Sequence, residues 1–195
     1  KIKVTAGVKP LKDLQAELES AHQSGLVDVL FEKESPIDPK SAALFFPQQA
    51  QFHPQKYLNG LAEAIIKKGG KIYTNTYVKD VQEKETVVVT TQAGVTITCQ
   101  SAVVATNTPF LNTFAIHTKQ AAYRSYVLGL AIPQGSVVRS LYWDTEDPYH
   151  YVRVCSGDQA DVLLVGGEDH KTGQANNAGE RFDHLLQWAK QKFPM

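Results

Sequence analysis

Hydrophobic positions along the chain follow two rhythms, one of three to four residues and one of two. Leu11, Leu14, Leu18 and Ala21 share one helical face after Pro10, so a first helix is predicted up to Gly25, with Lys12, Glu17 and Glu19 toward water. Segment 26–32 is short and apolar. Segment 35–49 carries Pro36, Pro39 and Pro47, which predicts an irregular connection with a brief extended piece at 44–46. Pro54 then suits the first position of a helix, because its missing N–H is one the first turn leaves unbonded. Tyr57, Leu58, Leu61, Ala62, Ile65 and Ile66 form its broad apolar stripe. Lys67 and Lys68 complement the negative end of the helix dipole, and Gly69 or Gly70 supplies a left-handed cap.

From Lys71 the rhythm changes to two, with Ile72, Thr74, Thr76 and Val78 on one side and Tyr73, Asn75 and Tyr77 on the other, which predicts a strand. Segments 86–91 and 95–99 flank Ala93-Gly94 as a hairpin, and 101–106 is a compact apolar strand that runs into Asn107, Thr108 and Pro109. After Pro109 four strand-like runs follow, at 122–132, 137–143, 149–155 and 161–165, separated by turn-forming residues. That spacing predicts an antiparallel sheet. Phe182, Leu185, Leu186, Ala189 and Phe193 give a last amphipathic helix able to cover one of its faces.

Composition narrows the function classes. The chain has 195 residues, 43% of them hydrophobic, enough for one substantial core or two small ones. Lysine plus arginine and aspartate plus glutamate are both 20, so no net sign points to nucleic acid or an anionic membrane. No apolar run approaches the roughly 20 residues of a membrane helix. Cys99 and Cys155 lie far apart in apolar alternating runs, which predicts buried thiols in a reducing, cytoplasmic compartment.

The candidate chemistry is uneven. Neither G-x-G-x-x-G nor G-x-x-x-x-G-K-[ST] occurs, and Gly69-Gly70 lies at the electronegative end of its helix, where it caps but cannot cradle phosphate. Gly166-Gly167 precedes Glu168, Asp169 and His170 and is expected to form a sharp turn with a solvated acidic tip. Those three residues are adjacent on that turn and are not expected to converge on a metal. Among His53, His117, His150, His170 and His184 there is no H-x-x-x-H, so no metal site is predicted, and no G-x-S-x-G marks a serine hydrolase. The densest cluster is Trp143 to Arg153. On a strand beginning at Tyr149, residues Tyr149, Tyr151, Arg153 and Cys155 share a face, while His150, Val152 and Val154 share the other. Two phenols and a guanidinium on one face suit a carboxylate. A half-exposed aromatic face with Arg153 stacked or salt-bridged at the surface explains the same pattern.

The order of pieces resembles a known family. The run Phe52-His-Pro-Gln-Lys-Tyr-Leu-Asn-Gly-Leu-Ala, then Gly69-Gly-Lys-Ile, Val78-Lys-Asp-Val, a hairpin and Ser-Ala-Val-Val-Ala-Thr106 is similar to the middle of the FAD-dependent D-amino-acid oxidase superfamily, which includes glycine oxidase and sarcosine oxidase. Tyr142-Trp-Asp-Thr-Glu-Asp-Pro-Tyr-His-Tyr-Val-Arg153 and Leu163-Leu-Val-Gly-Gly-Glu-Asp-His-Lys-Thr-Gly-Gln174 resemble more narrowly the branch that often carries an appended Rieske iron–sulphur domain. The resemblance implies that the backbone of Val78 meets the adenine of FAD and that Ala105, Thr106 and Asn107 end a strand near the cofactor. The family more often has glycine at the place of Asn107. It also implies that Arg153 binds the substrate carboxylate, with Tyr149 and Tyr151 as walls or donors. The family's opening βαβ unit with its glycine-rich loop is expected before Lys1, and its flavin-closing segment after Met195, so weak or absent FAD binding is expected of these 195 residues alone.

The expectation is therefore an α/β (α+β) chain, with a partial FAD-binding Rossmann-like layer at 1–108 and an antiparallel β-sheet substrate domain with a C-terminal helix at 109–195. Its parent would be a flavin-dependent oxidoreductase acting on an amine or amino acid by hydride transfer to FAD. The competing reading is a non-catalytic binding or scaffold module that uses the Tyr/Arg strand face.

Overall fold

The computed structural model describes residues 11–107, 110 and 120–193. The chain divides into two compact units, one made of 1–51 together with 122–195 and the other of 52–121. The functional boundary expected at 108/109 falls outside the described residues, as does His117.

The first unit opens with helix α1 (Leu11–Gln23), followed by an antiparallel pair, β1 (Leu30–Glu32) and β2 (Ala43–Phe45). The helix stops where predicted, because Gly25 adopts a left-handed φ of 91°. Leu14 and Ala21 of its apolar face are buried with Val29 and Leu44, forming a small core.

The second unit holds α2 (Pro54–Lys67) and a three-stranded antiparallel sheet of β3 (Val78–Glu83), β4 (Val87–Thr91) and β5 (Thr96–Cys99), in the order β3-β4-β5. Pro54 opens the helix and the His53 side chain caps it, Nδ1 accepting from Lys56 N–H at 3.3 Å. Gly69 is the left-handed cap, with φ 86°, while Gly70 packs onto Ile65, whose Cγ2 would lie 2.6 Å from an added Cβ. Two predicted strands do not form. Segment 71–77 is irregular: Asn75 turns to φ 51° and interrupts the alternation, and strand pairing starts only at Val78, opposite Thr91. Segment 101–106 is likewise exposed and unpaired into any sheet among the described residues. An apolar run becomes a buried strand only when neighbouring strands take up its N–H and C=O groups.

The chain then returns to the first unit with β6 (Tyr123–Ile132), β7 (Leu141–Trp143), β8 (His150–Cys155) and β9 (Asp161–Lys171), an antiparallel sheet in the order β6-β9-β8-β7, followed by helix α3 (Ala178–Lys192). Val152, Val154, Leu163, Val165, Tyr142 and Ile132 point to one face, where Leu185, Ala189 and Phe193 cover them to form the main core. Each such aliphatic side chain removed from water contributes about 1.5–3 kcal/mol before entropy is counted. Strand β9 runs six residues beyond its expected end, so the turn and solvated tip expected at 166–170 are replaced by strand. Glu168 is buried there at φ 55°.

Candidate functional site

The alternation predicted for 149–155 is present in space. Along β8 the even positions His150, Val152 and Val154 are buried, and Tyr151, Arg153 and Cys155 are half-buried on the opposite face. Register extends that second face across the sheet: Tyr151 lies opposite Trp143 on one side and Gly166 on the other, and Arg153 lies opposite Leu141 and Leu164. Strand β6 adds Val127 and Gly129, paired with Gly166 and Leu164. The result is a sheet face turned away from α3, lined by aromatic and small residues with one guanidinium.

Three predicted residues are brought together here. The Tyr149 and Tyr151 rings lie 6.1 Å apart with planes tilted by 36°. Arg153 is the next side chain along the same face, and its Nη2 donates to Cys155 Sγ at 3.4 Å. Both cysteines are free thiols but half-buried rather than buried.

The pair Gly166-Gly167 is what allows this arrangement. A Cβ at Gly166 would fall inside the Tyr151 ring, and one at Gly167, where φ is 148°, would collide with the Tyr149 carbonyl. The glycines admit a phenol over the sheet instead of making a turn.

Two features escaped the sequence reading. One is Asp169. Tyr149 Oη donates to its Oδ2 at 3.3 Å, while Oδ1 is shielded from solvent and accepts no hydrogen bond. Both phenols are held above the ordinary tyrosine range, by burial first and then by the negative charge of Asp169. The other feature lies on the opposite face of β8. His150 Nδ1 meets Asp144 Oδ2 at 2.8 Å, and its N–H donates to Asp144 Oδ1 at 2.7 Å. The His150 ring stacks on Trp188 with centroids 4.3 Å apart. Nearby, Arg181 Nη1 donates to the Glu168 carbonyl at 2.8 Å and lies 3.5 Å from its Oε2. Asp144, Glu146 and His150 place donor atoms within 4.8 Å of one another, near enough for a cation. Both oxygens of Asp144 already accept from His150, so the group works as a latch between the β7–β8 connection and α3. The D-x-E-x-x-x-H spacing within 144–150 was the available signal.

The residues expected to meet the cofactor belong to the second unit. Val78 is half-buried at the start of β3; Ala105, Thr106 and Asn107 are exposed in an irregular segment. Beside Val78 lies a groove of about 840 Å³ lined by Tyr73, Asn75, Thr76, Tyr77, Thr91 and Ile97, among others. Its wall is largely apolar, and Val78 itself is not among its lining residues. Among the described residues no glycine-rich loop opens a helix, so they do not fit the pyrophosphate.

Comparison with known proteins places these features in context. The model of the DAO family, described as FAD dependent oxidoreductase, matches residues 2–195. A curated relative from Bacillus subtilis (strain 168), named "Putative Rieske 2Fe-2S iron-sulfur protein YhfW", is 28% identical over 188 residues, covering 95% of this chain and 36% of that protein. Among solved structures, the peptidyl tryptophan dihydroxylase QhpG aligns over 95% of this chain and 41% of its own at 9% identity, with a TM-score of 0.33. The tetracycline destructase Tet(51) aligns over 93% and 50% at 11% identity, with a TM-score of 0.32. No helix of the described residues is long and apolar enough to cross a membrane.

Proposed function

The chain belongs to the FAD dependent oxidoreductase family, and from that premise we propose that it supplies the substrate-facing sheet of a flavoenzyme that oxidises an amine or amino acid. The observation that carries this reading is the shared face of Arg153, Tyr149 and Tyr151 on the side of the sheet opposite α3. Arg153 takes the substrate carboxylate, since a planar guanidinium matches it with two parallel hydrogen bonds. Tyr149 and Tyr151 form the adjoining wall, the Tyr151 ring resting in the space that Gly166 leaves open. FAD, when bound, supplies the hydride-accepting chemistry. Val78 is assigned to its adenine end, and Ala105, Thr106 and Asn107 to its neighbourhood. The chain spans about a third of the length of its curated relative, so turnover, a Rieske partner and strong FAD binding are assigned to the intact protein that contains these residues.

The test is an absorbance spectrum of that intact protein followed by turnover with a panel of amines and amino acids. A flavin spectrum with Arg153→Ala raising KM for carboxylated substrates by roughly 30-fold or more supports the reading. An Arg153→Ala protein with full turnover and unchanged KM removes the carboxylate role of Arg153, and an intact protein with neither flavin spectrum nor turnover leaves the non-catalytic binding module.

A further inference from the structure

On the core side of β8, three carboxylates converge on one imidazole. Asp144 Oδ2 lies 2.8 Å and Glu146 Oε2 3.8 Å from His150 Nδ1, while Glu168 Oε1 lies 4.0 Å from Nε2. Asp144, His150 and Glu168 are buried, and Glu146 is partly exposed. Among the described residues the permanent cation that meets these acids is Arg181, 3.5 Å from Glu168 Oε2. His184 lies 3.7 Å from the same oxygen, but its side chain is 60% exposed. Three acids against one guanidinium leave a deficit of positive charge where water screens little.

The latch between Asp144 and His150 already holds two of these groups as ligands would be held. The N–H groups of His150 and Glu146 donate to Asp144 Oδ1 at 2.7 and 3.3 Å, which leaves Oδ2 directed at the imidazole. Stacking on Trp188 fixes the plane of the ring. Nδ1, an Asp144 oxygen and a Glu146 oxygen lie within 4.8 Å of one another, and atoms bound to one ion at about 2.0–2.2 Å lie roughly 3–4 Å apart. An ion there requires Nδ1 without its proton. That proton moves to Nε2, where Glu168 Oε1 faces it and accepts no hydrogen bond among the described residues. A carboxylate opposite the second ring nitrogen is the usual support of a metal-bound histidine.

We propose that Asp144, Glu146 and His150 bind one divalent ion of the zinc type, with Glu168 as the outer carboxylate behind His150 and a further coordination position open on the solvent side of Glu146. One imidazole with two carboxylates suits zinc, whereas calcium and magnesium take oxygen ligands. The ion ties the connection between β7 and β8 to the start of β8. The site lies on the face of β8 opposite Tyr151 and Arg153 and is independent of the substrate reading given above.

The intact protein, treated with EDTA and dialysed, is titrated with Zn²⁺ and separately with Ca²⁺ by calorimetry, and its thermal unfolding is followed with and without each ion. Zn²⁺ is expected to raise the unfolding midpoint, because an ion bound by the folded chain shifts the equilibrium toward it. Glu146→Gln is the decisive variant, since its side chain takes no part in the latch, and its midpoint without zinc reports whether the fold is intact. It is expected to weaken Zn²⁺ by roughly 10-fold or more, and Glu168→Gln to weaken it by roughly 10- to 100-fold. His184→Ala is expected to bind Zn²⁺ as wild type does. Wild type with no zinc-dependent shift overturns the site, as does Zn²⁺ bound as tightly by Glu146→Gln as by wild type. Ca²⁺ bound as tightly as Zn²⁺ removes the imidazole from the ligand set and overturns it too. Equal losses in His184→Ala and Glu146→Gln would place the ion on the Glu168–His184 pair at the surface, which also overturns the proposal.

Discussion

Helices α2 and α3 have apolar stripes of the same kind, and the chain treats them in opposite ways. Leu185 and Ala189 of α3 have no exposed surface and sit on Val165, Leu163 and their neighbours in the four-stranded sheet. On α2 no residue is buried: Leu58 is 55% exposed, Leu61 45% and Ile66 60%. Helix α2 is the better capped of the two, with His53 bonded to Lys56 N–H while Asn177 makes no side-chain cap bond to α3, so the difference in burial is not local. It lies in what faces the stripe. An amphipathic helix gains its stability from the surface it covers, and propensity alone is marginal at 14 residues. The unit of 122–193 and its N-terminal partner segment contains its own sheet face, while among the described residues of 52–121 the stripe of α2 meets none.

The sharpest way to break that comparison is to remove the same side chain from each unit. Leu163→Ala, in the sheet under α3, should cost about 2–5 kcal/mol, since it deletes fully buried methyl groups and leaves a cavity. Leu61→Ala should change stability by less than about 0.5 kcal/mol, because little burial is lost. Amide hydrogen exchange resolves the two units separately: protection should collapse across β6, β8 and β9 in the first variant and stay unaltered on α2 in the second. A loss of α2 protection in Leu61→Ala comparable to that in the sheet would show that the stripe is covered.

The two units also differ in how far they could be read from the chain. Period two decides which side chains share a face, and this is why Tyr149, Tyr151 and Arg153 were legible together without knowledge of the sheet order. Asp169 was not, because its position depends on irregularities that no pattern announces. The register shifts between Arg124 and Tyr126, and Glu168 takes a left-handed φ, so that residues beyond Gly167 no longer follow the alternation of 161–165. Gly166-Gly167 looked like a turn because glycine pairs usually serve turns. Here the missing Cβ atoms make room for an aromatic ring above a strand. Segments 71–77 and 101–106 failed for a third reason. Apolar alternation states a capacity to pair, and pairing needs strands that the described residues do not place beside them.

Glycine substitutions sharpen the contrast further. Gly166→Ala should cost about 1–3 kcal/mol and displace the Tyr151 ring, which the added methyl group would overlap. Its signature is a raised KM for carboxylated substrates together with a changed Tyr151 ring resonance. Gly60→Ala, on exposed α2 with open space around it, should instead stabilise the helix by about 0.5–1 kcal/mol. A Gly166→Ala protein with unchanged stability and unchanged Tyr151 resonances would mean that the ring does not rest on the strand.

A further small effect concerns how the two chain segments of the first unit are joined. Lys192 Nζ on α3 lies 2.7 Å from Asp38 Oδ2 in the connection between β1 and β2, while no ion pair occurs among the described residues of 52–121. The hydrogen bond from Lys192 is the main cause that holds the Asp38 carboxyl below its ordinary value of 3.8. A carboxylate lowered on folding stabilises the folded state once pH exceeds its unfolded value, and that contribution disappears as pH falls through the lower, folded value. Asp38→Asn should therefore lose at most about 1 kcal/mol at neutral pH, the pair being partly solvated. The gap to wild type should close on acidification below 3.8, and it should shrink in high salt. Thermal unfolding across pH checks this, and a gap that widens toward acid would mean that Asp38 is protonated in the folded state and bonded to something other than Lys192.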